Sequence, residues 1–201
     1  MEKKLWVFLL IFVAVGVWSG INPFETGLWF LEAGMCIIGV AILAFTYKRF
    51  KFTTMTYTVI LIHIIILFVG AHYSYAKVPL FDWIKELCDS SRNNYDKVGH
   101  FMQGFGPAMI ARELLIRLDI IRKRSWIPFL VVSICLAISA FYELIEWRVA
   151  VLSNDGAEDF LGMQGYEWDT QSDMLCAMIG AITMLVLFSR IQDKQIKKMG
   201  K

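Results

Sequence analysis

Three pairs of ionisable residues carry the chemistry this sequence offers: Asp96 with His100, Glu143 with Glu146, and Asp169 with Asp173. Spacings of three and four put both members of a pair on one face of a helix. Carboxylates and imidazoles hold divalent metals and move protons. Each pair stands at the edge of an apolar block, where a charge costs at least a few kcal/mol in lipid and calls for a function. His72 closes another such block and can join them. Asp96, His100, Glu143, Glu146, Asp169, Asp173 and His72 are thus the candidate ligands for a divalent metal. His100, Glu143 and Asp173 are the candidate catalytic groups.

Plainer roles compete. Asp96 and Asp169 suit helix N-termini, where a side-chain oxygen satisfies free amides and a negative charge suits the dipole. Glu143 and Glu146, read in the last turn of their helix, oppose that dipole and need a partner: Lys97, Arg148 or a metal. His100 lies one turn inside its helix, beyond capping range.

The remaining polar residues are weaker candidates. His63 lies mid-span, about 13 Å deeper than His72 at the helical rise, and suits an interhelical hydrogen bond. Arg112 is read as snorkelling to the interface, Glu113 as pairing with Arg117 four residues on, and Glu32 as reaching water. Gly104, Gly106 and Pro107 permit close helix approach or a kink, and Gly180-Ala181 permits close approach. The stretch from Gly162 to Trp168 is a turn into the last helix, which covers the site or lies at the interface.

The elements that must position these groups are membrane helices. Of 201 residues, 57% are hydrophobic, and the mean hydropathy is +0.55; soluble domains hold about 45–50% apolar residues. The excess falls in blocks of roughly 17–22 residues, the length that crosses a hydrocarbon core of about 30 Å. Backbone in lipid must satisfy its own hydrogen bonds, so such blocks are helices. The spans predicted are 5–21, 28–47, 53–73, 97–118, 126–147 and 170–190. The fold class is therefore all-α: a polytopic membrane protein, one six-helix domain over residues 1–201. The loops at 74–96 and 148–169 carry Trp83, Tyr95, Phe160, Tyr166 and Trp168 and are read as lying on the membrane surface.

Lysine and arginine orient the spans. One set of ends holds Lys3, Lys4, Lys48, Arg49, Lys51, Arg112, Arg117, Arg122, Lys123, Arg124, Arg190, Lys194, Lys197, Lys198 and Lys201. The other holds Lys77, Lys85, Arg92, Lys97 and Arg148. That division, 15 against 5 of the 20, places both termini in the cytoplasm and the three acidic pairs at the opposite face. Lys3 and Lys4 before an apolar run imitate a secretory signal, but Val17-Trp18-Ser19-Gly20 offers no cleavage pattern, so the first helix is retained. Cys36, Cys135 and Cys176 lie within apolar blocks and Cys88 in a loop; their spacing suits neither a disulfide framework nor a zinc motif. The bilayer is the expected partner, and no nucleic acid is expected.

The stretches GAHYSYAKVPLFDW (70–83), RNNYDKVGHFMQGFGPAMIARELL (92–115), YELIEW (142–147) and GYEWDTQSDMLCAMIGA (165–181) resemble the YjdF-like family of uncharacterised bacterial inner-membrane proteins. The likeness covers roughly residues 60–185 and implies a multi-pass protein of the bacterial inner membrane. A looser resemblance, to the VanZ-like proteins, rests on Asp96-Lys97-Val98-Gly99-His100-Phe101, then Glu143, then Asp173 with Gly180-Ala181. Those proteins are linked to resistance against teicoplanin-type antibiotics. The arginine they usually have before the last helix is missing here, and Ala177 stands where they tend to have asparagine.

Three functions fit. One is an enzyme at the outer face of the cytoplasmic membrane, acting on a lipid or envelope precursor, with a divalent metal as its cofactor in one version. The second is a transporter, which His63 and Glu113 would extend inward. The third is a structural or partner-binding membrane component.

Overall fold

Helix runs wherever the apolar blocks run, because a chain without water as a partner closes its hydrogen bonds along itself. The computed structural model describes residues 2–152 and 166–199, and no strand occurs among them. Among the described residues the α-helices are α1 (Glu2–Ser19), α2 (Thr26–Thr46), α3 (Thr54–Tyr73), α4 (Pro79–Leu87), α5 (Tyr95–Arg117), α6 (Ile127–Leu152), α7 (Asp169–Thr183) and α8 (Ser189–Met199). A 3-10 turn, Arg124–Trp126, leads into α6, and a π segment, Met184–Phe188, joins α7 to α8.

Among the described residues, four helical stretches are long and apolar enough to cross a membrane: Thr26–Thr46, Thr54–Tyr73, Arg124–Leu152 and Asp169–Met199. The other two predicted spans are helical but more highly charged. Glu2, Lys3 and Lys4 open α1, and α5 carries Asp96, Lys97, Arg112, Glu113 and Arg117. Trp6, Phe45, Phe129, Trp147 and Val186 all lie exposed. Apolar surface on this scale suits a lipid solvent rather than water.

Three boundaries differ from expectation. α6 continues past 147 to Leu152, so Glu143 lies more than two turns before its end, and the helix dipole places no demand on it. The final helix runs on past 190 to Met199, because the π segment keeps the helix continuous into its charged tail. The loop after α3 contains a helix, α4, begun by Pro79 at a position where its missing N–H costs nothing. Leu80, Trp83 and Leu87 recur at three and four residues and are exposed, giving α4 one apolar face. Phe160, read as lying on the membrane surface, and Gly162, Met163, Gln164 and Gly165, read as covering the site or lying at the interface, fall outside the described residues.

The chain divides into two units. In the first, residues 1–51, 61–99 and 149–167, Trp29 Nε1 donates to Ser19 Oγ at 3.0 Å, and the Phe24 amide donates to the His72 carbonyl at 2.9 Å. The Tyr95 hydroxyl donates to the Ile66 carbonyl at 3.0 Å, tying the start of α5 to α3. Glu32 is buried rather than in water: it shares the i, i+4, i+8 stripe Leu28-Glu32-Cys36 that α2 turns inward. His63 does not make the expected hydrogen bond through Nε2, which is buried with no partner among the described residues. It sits in the run Ile60 to Leu67, whose other side chains are all aliphatic. A buried polar atom without a partner costs about 1–3 kcal/mol. His63→Leu, close in volume, should therefore stabilise the protein by about 1 kcal/mol, seen as a rise of about 2–4 °C in Tm in detergent. A fall in Tm would show that the imidazole is satisfied.

In the second unit, residues 52–60, 100–148 and 168–201, α5 lies between α6, antiparallel to it, and the α7–α8 helix, parallel to it. Small residues set the spacing. A Cβ on Gly104 would collide with the Ala177 carbonyl, and one on Gly180 with the Phe101 carbonyl, so both helices meet at backbone distance. Cys135 Sγ donates to the Gly104 carbonyl at 3.4 Å from α6.

At the other end of α5, Glu113 is fully buried. Its Oε1 accepts from the Thr53 amide and from Arg117, both at 2.8 Å. Its Oε2 accepts from the hydroxyls of Thr53 and Thr56 at 2.9 and 2.6 Å. The Arg117 pairing agrees with the sequence reading; Arg112 does not. Instead of snorkelling, it donates to Gln192 Oε1 at 2.9 Å and to Asp193 Oδ1 at 2.7 Å. The predicted span stopped at 190, short of both partners, which the extended helix brings alongside. Gln192 Nε2 donates to the Met109 carbonyl at 2.8 Å, so the start of α3, α5 and α8 are locked together there.

Candidate functional site

His100 is the sixth residue of α5, one turn above the Gly104 contact, and that close approach delivers its imidazole to both neighbouring helices. Glu143 comes from α6, eight residues after the Cys135 that touches Gly104. Asp173 comes from α7, four residues before the Ala177 that touches Gly104. His100 Nδ1 is 3.8 Å from Glu143 Oε1, and His100 Nε2 is 3.6 Å from Asp173 Oδ1. One ligand atom from each of the three lies within 4.8 Å of the others. The side chains are 11%, 7% and 4% exposed, so the cluster is almost dry.

Residues that the sequence reading did not single out complete the surroundings. Gln103 Oε1 is 3.3 Å from His100 Nδ1 and orients the ring. The Tyr142 ring meets the imidazole edge-on, centroids 6.4 Å apart. Ser139 is fully buried one turn from Glu143 on the same face of α6, and its hydroxyl has no hydrogen-bond partner among the described residues. The stripe Cys135-Ser139-Glu143, at four-residue spacing, was the available signal; serine and cysteine in an apolar span pass as filler.

The other predicted ligands are placed as follows. Asp96 is buried in the first turn of α5, ion-paired with Arg92 and 3.6 Å from Lys97 Nζ. Asp169 is buried as the first residue of α7, one turn before Asp173. Glu146 is partly buried on α6, three residues beyond Glu143. His72 is engaged elsewhere: Nδ1 lies 3.0 Å from the Ser19 carbonyl, and Trp18 stacks against the ring with centroids 4.6 Å apart. Depth along a helix was the reason for including His72, and depth does not set the direction in which a side chain points.

The arrangement is an imidazole with a carboxylate beside each ring nitrogen in a nearly anhydrous setting. Such a group can accept a proton, stabilise the resulting imidazolium, or close around a cation.

Residues 4–194 match the family described as "Predicted membrane protein (DUF2238)". The chain is 46% identical to the "Inner membrane protein YjdF" of Escherichia coli (strain K12) over 184 residues, covering 92% of this chain and 88% of that protein. No solved structure matches. The VanZ-like resemblance rests on the sequence motifs alone.

Proposed function

Since the chain belongs to the DUF2238 family of predicted membrane proteins, we propose that it is a membrane-embedded enzyme with His100 as acid–base group, acting on a lipid or envelope precursor. In this reading six helices span the bacterial inner membrane, both termini are cytoplasmic, and the His100 site opens toward the extracytoplasmic face. The observation that carries it is the imidazole flanked on both nitrogens by buried carboxylates. Gln103 and Glu143 face Nδ1 and hold its proton; Nε2 takes a proton from substrate, and Asp173 stabilises the cation that forms. The 15-to-5 division of lysine and arginine supports the orientation. The apolar face of α4 suits a helix lying in the membrane interface.

The test compares lipids and envelope precursors in cells carrying the wild-type gene, a deletion, His100→Ala or Asp173→Asn. The species that accumulate in the deletion should accumulate equally in both variants, with normal amounts of protein in the membrane. A wild-type profile with His100→Ala would remove the catalytic role. Fusions test the orientation: alkaline phosphatase joined after Lys85 should be active, and the same fusion after Lys201 inactive.

A further inference from the structure

We propose that the outward face of α8 is a binding site for anionic phospholipid, with Arg190 and Lys194 holding the headgroup phosphate and Lys197 and Lys198 reinforcing them. α8 meets α5 at Arg112, about three turns from His100, and the proposal needs none of the chemistry there.

Helix length gives the first reason. The stretch Asp169–Met199 holds 31 residues, about 46 Å at the helical rise, against a hydrocarbon core of about 30 Å. The excess of about 16 Å matches the eleven residues of α8, which turn polar where the apolar run ends. Val186 and Leu187, just before α8, are exposed and suit acyl chains. Arg190 and Lys194 follow Leu187 by about 5 and 11 Å, within or just beyond a headgroup layer of about 5–8 Å. Long basic side chains can reach back into that layer.

The face these residues share gives the second. At about 100° per residue, Arg190, Lys194, Lys197 and Lys198 fall within an arc of roughly 100°, and all four are exposed. The other side of α8 is docked. Gln192 donates to the Met109 carbonyl and accepts from Arg112, and Gln195 Oε1 accepts from the Met55 amide at 3.1 Å. Orientation by charge requires only a number of basic residues at one end of a span, not one face of a helix. A face that merely meets water is served by charges of either sign. Lys197 and Lys198 suit the negative end of the helix dipole, but Arg190 and Lys194 stand before the last turn.

Charge gives the third. Among the described residues none of the four basic side chains makes an ion pair. The one acidic residue of α8, Asp193, is taken by Arg112 at 2.7 Å. The stripe therefore lacks a counter-charge from this part of the chain, and an anionic lipid surface supplies it. The arginine fork fits two phosphate oxygens, and a lysine one turn on adds a point charge.

The start of α6 marks the lipid surface independently. It lies where α5 ends, the end on which α8 packs, and it carries exposed Trp126 and Phe129 with ring centroids 5.8 Å apart. Exposed Arg122, Lys123 and Arg124 come directly before them. Tryptophan beside basic residues is the pattern of headgroup depth.

The experiment uses the full chain purified in detergent, with phosphatidylglycerol and phosphatidylcholine as probes and bound lipid read by native mass spectrometry. The wild type should bind phosphatidylglycerol at least tenfold more tightly than phosphatidylcholine, and millimolar inorganic phosphate should not displace it. Arg190→Gln combined with Lys194→Gln should weaken phosphatidylglycerol binding at least fivefold at unchanged Tm, with phosphatidylcholine binding unaltered. Lys48→Gln combined with Arg49→Gln removes the same charge from exposed positions just after α2 and should keep the preference. A wild type without preference, displacement by phosphate, or an affinity unchanged in the α8 variant overturns the site. Equal losses in the two double variants also overturn it, because diffuse charge would then attract the lipid. Neither pair of substitutions alters the His100 trio, so the result stands apart from the precursor profiles of the His100 variants.

Discussion

Gly104→Ala is expected to cost the protein its α5–α7 packing, and with it the site, although no group in the site changes. The added methyl would collide with the Ala177 backbone carbonyl, which, unlike a side chain, cannot rotate away. Relief requires the two helices to move apart along the line that also carries Gly180 against Phe101 and Phe105. Overpacking ordinarily costs about 1–3 kcal/mol. A backbone clash belongs at the upper end, so a loss of about 3 kcal/mol and a fall of roughly 6–12 °C in Tm are expected. Separation of α5 from α7 also draws His100 away from Asp173, so function should fall with stability. Gly34→Ala is the control: its methyl would meet nothing within 4 Å, and it should be neutral or stabilising by up to about 1 kcal/mol through helix propensity. Equal behaviour of the two variants would show that α5 and α7 do not meet at backbone distance.

Glu113→Ala is the second large loss. The carboxylate takes four hydrogen bonds, and its removal strands the buried Thr53 amide and takes the acceptor from the Arg117 guanidinium. Breaking a buried ion pair by deleting one partner costs about 3–5 kcal/mol. Glu113→Gln separates charge from hydrogen bonding. Its amide oxygen can sit at the Oε1 position, facing the two donors that cannot reverse. Its amide NH2 then meets the Thr53 and Thr56 hydroxyls, which can rotate to accept. Only the charge-assisted part is lost, so Glu113→Gln should cost about 1–2 kcal/mol. Both numbers come from denaturation in detergent. If Glu113→Gln is as damaging as Glu113→Ala, the charge on Glu113 governs the lock and the rotatable hydroxyls do not.

Sequence carried different parts of this structure unequally. Apolar block length located the six long helices within a few residues at most ends, because the physics is local to each block. The pairing of His100 with residues of later helices was foreshadowed by spacing and chain direction, since opposite-running helices bring ends of like depth together. Rotation about a helix axis leaves no such trace, and that is why His72, at suitable depth, engages Ser19 instead. The charged tail after Arg190 hid the reach of the last helix, and so hid Gln192 and Asp193 as the partners of Arg112. Ser139 and Gln103 stayed unmarked because uncharged polar residues in a span do not stand out until their neighbours are known. Glu143 seemed to demand a cation because its helix was drawn too short; the site gives it a neighbour in His100 for a different reason.

The account depends on three side chains from α5, α6 and α7 meeting in one buried place. In a variant lacking the four native cysteines, cysteine pairs at His100 with Asp173 and at His100 with Glu143 can be treated in native membranes with a two-carbon bis-methanethiosulfonate. Cross-linked peptides are then identified by mass spectrometry. Both pairs should cross-link, and a cysteine at exposed Phe141 on the other side of α6 should not link to position 100. Cysteines that label singly yet fail to bridge in either pair would contradict the convergence on which the site and its chemistry stand.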